Sequence, residues 1–269
     1  MINIRLRIIT SIIAVPIVLA CIYFGGIPFL LLVLTLALIS INEFYNMMRV
    51  KDYLPAYYVG NFFTGFFIVF AYYALKKSWE PAHSAILTGA ALVTMIATLF
   101  LKRPKEAIID IAVTFLGMIY VGWFFSYFLF IRALSERGGY IFLLLATVLT
   151  LDTSAYFAGK IFGRHKLFPS ISPKKTIEGA VVGLVSCLVV AVLLGCFLGL
   201  SFFHALILGV LIGIASQLGD LFESLIKRDA GVKDSSNLFP GHGGFLDRMD
   251  SYIFAAPVVY YYLVWVVFK

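Results

Sequence analysis

Residues 177–199 read IEGAVVGLVSCLVVAVLLGCFLG, a run of 23 residues whose single charge, Glu178, sits at its start. A helix needs about 20 mostly apolar residues to cross the hydrocarbon of a bilayer. This stretch meets that length, and it is too long and too uniformly apolar for an ordinary core helix. Working outward, eight more stretches of comparable character follow the same rule: 8–25, 28–47, 55–75, 84–101, 107–131, 139–160, 203–226 and 252–268. The whole chain agrees. Of its 269 residues, 62% are hydrophobic and 13% charged, about half the charged fraction of soluble globular proteins. The mean hydropathy is +0.99. These numbers exclude disorder, a collagen-like fibre and a soluble α/β enzyme. The expected fold is all-α: a polytopic membrane bundle of about nine transmembrane helices, read as residues 1–135 (helices 1–5) and 136–269 (helices 6–9). The two long polar stretches are 161–176 and 227–251.

The net charge of +7 would suggest nucleic acid in a soluble protein. In a membrane protein it first reports orientation, because Lys and Arg concentrate in cytoplasmic loops. With the N-terminus inside, 16 of the 21 Lys and Arg residues fall on the inner side and 5 on the outer. Both long loops are then cytoplasmic, and nucleic acid is not expected as a partner. Nine cations crowd the last two inner loops: Lys160, Arg164, Lys166, Lys174 and Lys175, then Lys227, Arg228, Lys233 and Arg248. That is more than orientation requires. Cys21, Cys187 and Cys196 all lie in apolar runs and read as small buried residues, not as disulfides or metal ligands. The apolar run after Arg5 and Arg7 continues past Cys21, so it reads as an uncleaved first helix and not as a secretion signal. Gly179-x-x-x-Gly183, Gly195-x-x-x-Gly199 and Gly209-x-x-x-Gly213 predict close helix packing.

Ionisable residues within spans are candidates for function. Glu43 and Asp110 lie near the cytoplasmic ends of their helices and read as solvated ends. Asp152 lies roughly 12 Å in from the end of its helix, and Asp220 is placed similarly. Asp220, Glu223, Ser224 and Lys227 are spaced i, i+3, i+4, i+7 and share one helical stripe. Within it, Glu223 and Lys227 suit an intrahelical ion pair. In the following loop, glycines at 241, 243 and 244 surround His242 just before a helix, an arrangement that lets backbone N–H groups close on an anion. Asp247 and Asp250, i and i+3, face the same way at the start of that helix. Carboxylates without thiols or clustered histidines suit a hard cation, Mg²⁺ before Zn²⁺, and Asp220 joins them if the loop folds back. In the other loop, Ser172-Pro173 reads as an N-cap followed by proline at the first helical position. Lys174 and Lys175 would then stand against a helix dipole, a placement that suggests a bound anion, with lipid headgroups as the other explanation. Together these features describe a cytoplasm-facing pocket with carboxylates for Mg²⁺ and two basic loops for phosphates. That combination fits phosphoryl or nucleotidyl transfer on a lipid. No activated Ser, Cys or His nucleophile is evident, and none is needed if a phosphate attacks.

The run from Ser224 through Ile226-Lys227-Arg228, Lys233-Asp234, Ser236, Phe239-Pro240 and His242-Gly243-Gly244-Phe245 to Asp247-Arg248-Met249-Asp250 resembles the signature of the phosphatidate cytidylyltransferases, or CDP-diacylglycerol synthases. Ser172–Thr176 and Gly219-Asp220-Leu221 are similar to that family as well. The resemblance is strong from about Asp152 onward and rests on hydropathy alone over residues 1–130. It implies that CTP and phosphatidate give CDP-diacylglycerol and pyrophosphate, with the lipid phosphate attacking the α-phosphorus in line. It also implies Asp220, Asp247 and Asp250 as ligands for Mg²⁺, with a second cation, K⁺ or another Mg²⁺, beside it; Asp152 is a further candidate from its depth in the helix. Lys227, Arg228, Lys233, Arg248, Lys174 and Lys175 would contact triphosphate or lipid phosphate. Arg164, Lys166, Ser224 and Asp234 would line the substrate site, and His242, Gly243 and Gly244 would shape a nucleotide loop. The expected setting is the cell (inner) membrane, with a homodimer working on lipid of the cytoplasmic leaflet. An ion-coupled secondary transporter and a CDP-alcohol phosphotransferase are the rival readings. The first lacks repeated halves with broken helices. The second lacks its characteristic aspartate run.

Overall fold

The computed structural model describes residues 15–75, 80–100, 104–236 and 243–269. Arg5, Arg7 and His242 lie outside them. Each of the nine expected spans is helical over most of its described part. Among the described residues, six helices are long and apolar enough to cross a membrane: Gly26–Arg49, Ala107–Ala133, Gly139–Phe162, Ile177–Phe197, Phe202–Asp229 and Leu246–Val267. The other three fall short for separate reasons. Val15–Phe24 is described over ten residues only. The apolar part of the fourth, Ala85–Leu99, covers about 22 Å at 1.5 Å per residue. Tyr57–Ala74 carries Tyr57, Tyr58, Asn61, Tyr72 and Tyr73, which dilute its hydropathy.

The chain forms two compact units. The first is Met1–Ala133 together with Ala230–Arg248, so part of the second polar loop belongs with the N-terminal helices and not with residues 136–269. Its helices are α1 (Val15–Phe24), α2 (Gly26–Arg49), α3 (Tyr57–Ala74), α4 (Glu80–Leu99), α5 (Ala107–Gly117) and α6 (Phe124–Ala133), with a π-helical turn at Met118–Trp123 joining the last two. Aromatic residues fill its core: Phe44, Tyr45, Phe67, Tyr120 and Phe125 are all buried. The Tyr45 ring fits because Gly60 and Gly117 flank it, where any Cβ would overlap the ring. Its hydroxyl donates to the Thr114 carbonyl at 2.8 Å, which satisfies a polar atom that would otherwise be costly at this depth. Asp110 is fully buried and accepts from the Leu54 amide at 2.7 Å. It is therefore a strut for the α2–α3 connection and not the solvated helix end that its position suggested.

The second unit is Leu134–Asp229 with Met249–Lys269. It contains α7 (Gly139–Phe162), a hairpin of β1 (Lys166–Phe168) and β2 (Ser172–Thr176), α8 (Ile177–Phe197), α9 (Phe202–Asp229) and most of α10 (Leu246–Tyr262). The strands are antiparallel, pairing Lys166 with Thr176 and Phe168 with Ser172. Small residues set the helix spacing. A Cβ on Gly179 would stand 2.7 Å from the Ala155 carbonyl, and one on Gly183 would stand 3.0 Å from the Ala155 Cβ, so α7 and α8 meet almost backbone to backbone. Gly195 and Gly209 do the same against Ala205 and Ala191. Gly199 differs: its φ of +89° ends α8 in a conformation that L residues rarely adopt. Cys187 is buried in this packing, and all three cysteines are free. Gly183→Val is expected to destabilise the protein by about 1–3 kcal/mol through overpacking. A thermal-unfolding midpoint in detergent lowered by about 5 °C or more checks this, and an unchanged midpoint would contradict the close approach.

Candidate active site

The site of the second unit starts from one dipeptide on α9, Gly219-Asp220. A Cβ at Gly219 would lie 2.8 Å from the Asp250 carbonyl and 2.6 Å from the Phe254 Cβ. Glycine thus lets α10 come against α9 where the aspartate projects. Asp250 is only 7% exposed, and its Oδ1 accepts from the Ser251 amide at 2.6 Å. It lies within electrostatic reach of Asp220, Asp152 and Lys227. Asp152 of α7 is within reach of Asp220 and Lys175. Asp220 itself is ion-paired with Lys175. One turn along α9, Glu223 is fully buried and ion-paired with Lys227, the intrahelical pair that the spacing predicts. Ser224, beside it, is also buried.

Lys175 reaches Asp220 from the hairpin, and here the structure corrects the sequence reading. Ser172-Pro173 does not cap a helix. Ser172–Thr176 is strand, and Thr176 is the N-cap, accepting from the Gly179 amide at 3.1 Å. A hydroxyl three residues before a free amide is the better cap, and it leaves Pro173 extended, the conformation open to its ring. The hairpin is tied to α8 at its base: the Glu178 carboxylate accepts from the Arg164 and His165 amides and bonds the His165 ring at 2.7 Å. Strand alternation then separates the two lysines, leaving Lys174 exposed and turning Lys175 inward. Their charges precede the helix instead of opposing its first turn.

Between α7, the hairpin, α8 and α9 lies a cavity of about 560 Å³. Asp152, Lys160, Lys174, Lys175, Gln217 and Asp220 give it polar walls, and Leu151, Ala155, Tyr156 and Leu167 give it apolar ones. Among the described residues, its lining holds no Ser, Cys or His nucleophile. Arg164, Lys166 and Arg228 are exposed, and Arg228 donates to the Ile171 carbonyl at 3.1 Å on the hairpin.

The signature loop is built in the first unit. Asp247 faces the loop: its carboxylate accepts from the Ser235 amide at 3.0 Å and the Gly244 amide at 2.8 Å. Gly243 has a φ of +78°. Lys233, Asp234 and Arg248 are exposed. Glu43 of α2 is also here, only 6% exposed, and it accepts from Ser235, Ser236, Phe245 and Leu246. Position along the helix suggested a solvated end, and the structure overturns that. The available signal was the rule already applied to Asp152 and Asp220, a lone carboxylate in an apolar helix.

Among the described residues, no three His, Cys, Asp or Glu side chains are gathered so as to hold a metal ion. Donor chemistry and charge nonetheless fit a hard divalent cation at Asp220 and Asp250. Asp152, Asp220, Glu223 and Asp250 face Lys175 and Lys227, two more carboxyl groups than cations. Mg²⁺ is commonly held by one or two carboxylates, with substrate phosphates and water completing the shell.

The fold and cavity define a class: a multi-pass membrane protein whose site sets carboxylates beside lysines, the equipment for handling phosphate. The model of the cytidylyltransferase family matches residues 5–266. The chain is 33% identical over 266 residues to the phosphatidate cytidylyltransferase of Bacillus subtilis, covering 98% of both chains. It is 36% identical to that of a Synechocystis species over 96% of both. It is 35% identical to that of Staphylococcus haemolyticus, over 95% of this chain and 97% of that one. The chain belongs to the cytidylyltransferase family. The family match also covers residues 5–130, where hydropathy alone had carried the resemblance.

Proposed function

We propose that this chain makes CDP-diacylglycerol and pyrophosphate from CTP and phosphatidate. The observation that carries this reading is the cavity in which Asp152 and Asp220 stand beside Lys160, Lys174 and Lys175. The names of the relatives supply the substrates. Lys174, Lys175 and Lys160 neutralise the triphosphate, and Lys227 and Arg228 extend the cationic surface along α9. An oxygen of the lipid phosphate attacks the α-phosphorus of CTP, one O–P bond forms, and the bond to the β-phosphate oxygen breaks to release pyrophosphate. Both reacting groups are anionic, so the chain's task is to hold them in line and offset their repulsion. The apolar walls around Tyr156 and Leu151 suit the acyl end of the lipid.

Mg²⁺ at Asp220 and Asp250, with Asp152 adjacent and a second cation nearby, would supply further charge neutralisation at the phosphates. Asp247, Lys233, Arg248, His242, Gly243 and Gly244 belong in this reading to the nucleotide loop, with Asp247 holding its backbone. The site faces the cytoplasm of the inner membrane, and the chain works as a homodimer. Light scattering in detergent that gives the mass of one chain would contradict the dimer. With Cys21, Cys187 and Cys196 replaced, a cysteine placed at exposed position 233 is expected to react with an impermeant maleimide from the cytoplasmic side only, and labelling from outside would overturn the topology.

The reaction itself is tested by pyrophosphate release from CTP in detergent with phosphatidate added, with and without EDTA. Turnover that requires phosphatidate, stops with EDTA and returns with Mg²⁺ supports the proposal. Consumption of CDP-diacylglycerol with an alcohol, or solute uptake without CTP turnover, would replace it with a rival.

A further inference from the structure

The mechanism above leaves the buried Glu43 unused. Glu43 of α2 lies about 200 residues away in sequence from everything it binds. Its Oε1 accepts from the Ser236 hydroxyl at 2.5 Å and the Phe245 amide at 2.9 Å. Its Oε2 accepts from the Ser235 hydroxyl at 3.2 Å and the Leu246 amide at 2.7 Å. Each oxygen therefore takes one donor from each side of the signature loop. The second side is the start of α10, so the carboxylate also answers the free amide and positive end of that helix. Gly244 is glycine for the same reason: a Cβ there would meet the Ser235 hydroxyl and stand 2.7 Å from Glu43 Oε2.

A carboxylate that only capped a helix would need one or two of these bonds. Here both oxygens bridge Ser235-Ser236 to Phe245-Leu246, the residues that flank Lys233 on one side and Asp247-Arg248 on the other. We propose that Glu43 is a positioning residue for the reaction, clamping the two sides of the signature loop so that Lys233 and Arg248 stand where they meet phosphate. This rests on the proposed nucleotidyl transfer, and it places a determinant of that reaction in the N-terminal helices.

The chemistry of the clamp dictates the test. In Glu43→Gln one oxygen becomes an NH₂ group that faces a backbone amide, donor against donor. The serine hydroxyls can turn, but the amide cannot. Glu43→Asp keeps the charge and both acceptors at shorter reach. Ser236→Ala removes one bond of four and leaves the helix alone.

With purified full-length protein, kcat/KM for CTP in Glu43→Gln is expected to fall about 100-fold, the scale of an ångström-level misplacement. The KM for phosphatidate should stay within about threefold, and the melting temperature should fall by about 5 °C, the cost of one unsatisfied buried donor. Glu43→Asp should recover about tenfold, and Ser236→Ala should lose about fivefold. Hydrogen exchange at the Phe245 and Leu246 amides should quicken in Glu43→Gln. The proposal is overturned if Glu43→Gln or Ser236→Ala turns over CTP like wild type. It is overturned equally if activity and melting temperature fall together without recovery in Glu43→Asp. Wild-type protein that does not turn over CTP would instead sink the proposed reaction, an outcome distinct from either.

Discussion

Asp250→Asn is expected to lower phosphatidate-dependent CTP turnover by about 10³-fold, the equivalent of roughly 4 kcal/mol of transition-state stabilisation. The size follows from where Asp250 sits. It is nearly buried beside Asp220 and Asp152 with Lys227 in reach, so a cation held there would meet its carboxyl with little screening by solvent. Asparagine keeps the shape and one oxygen and removes only the ability to ionise against a cation, so the change tests electrostatics and not packing. The sign of the stability change separates catalysis from architecture. In a cluster with two more carboxyls than cations, an amide in place of one carboxyl adds no repulsion and keeps the volume, so the melting temperature should hold or rise. A variant that melts early and keeps its turnover per folded molecule would make Asp250 a structural residue.

Lys175→Met is expected to cost about 100-fold in kcat/KM for CTP, the usual scale for losing one fixed donor to a charge that develops in the reaction. Its structural value is smaller. The side chains of the ion pair with Asp220 are 26% and 33% exposed, while Lys175 Nζ itself is buried, so its loss costs about 1–2 kcal/mol. A drop of two orders in activity with a melting shift of a few degrees therefore assigns Lys175 to the phosphates. Lys175→Arg should restore only part of the loss, because a planar guanidinium does not replace a point charge in a narrow strand-to-helix contact. Steady-state kinetics over a range of CTP concentrations reads both variants, and a Lys175→Met enzyme with unaltered kcat/KM would remove the hairpin from the site.

Much of this was legible in residue spacing. The spans follow from apolar length, the Glu223–Lys227 pair from i, i+4, and the helix-packing glycines from their four-residue repeats, because each is a property of one regular helix or of its flattest face. The misreadings share a cause: they turn on what meets a side chain from far away in the chain. Glu43 looked like a helix end because its four donors lie near residues 235–246. Asp110 looked solvated because its partner is the amide of Leu54. Asp247 was grouped with Asp250 by helical phase, yet its carboxylate is taken up by the amides of Ser235 and Gly244. Ser172-Pro173 had the composition of a cap, and the choice went to Thr176, whose hydroxyl meets the Gly179 amide once the hairpin folds. Gly199 fitted a packing repeat and serves as a helix terminator, a distinction that depends on its φ angle.

The most direct measurement follows the α-phosphate. Reconstituted protein is given CTP labelled at the α-phosphorus together with phosphatidate, and label in the lipid fraction is counted for wild type and for Asp220→Asn/Asp250→Asn. Transfer of the α-label to lipid by wild type, with none above background in the double variant, is the expected result. Label that stays in the aqueous phase with wild type, or reaches lipid equally well in the double variant, would contradict a reaction run by these carboxylates.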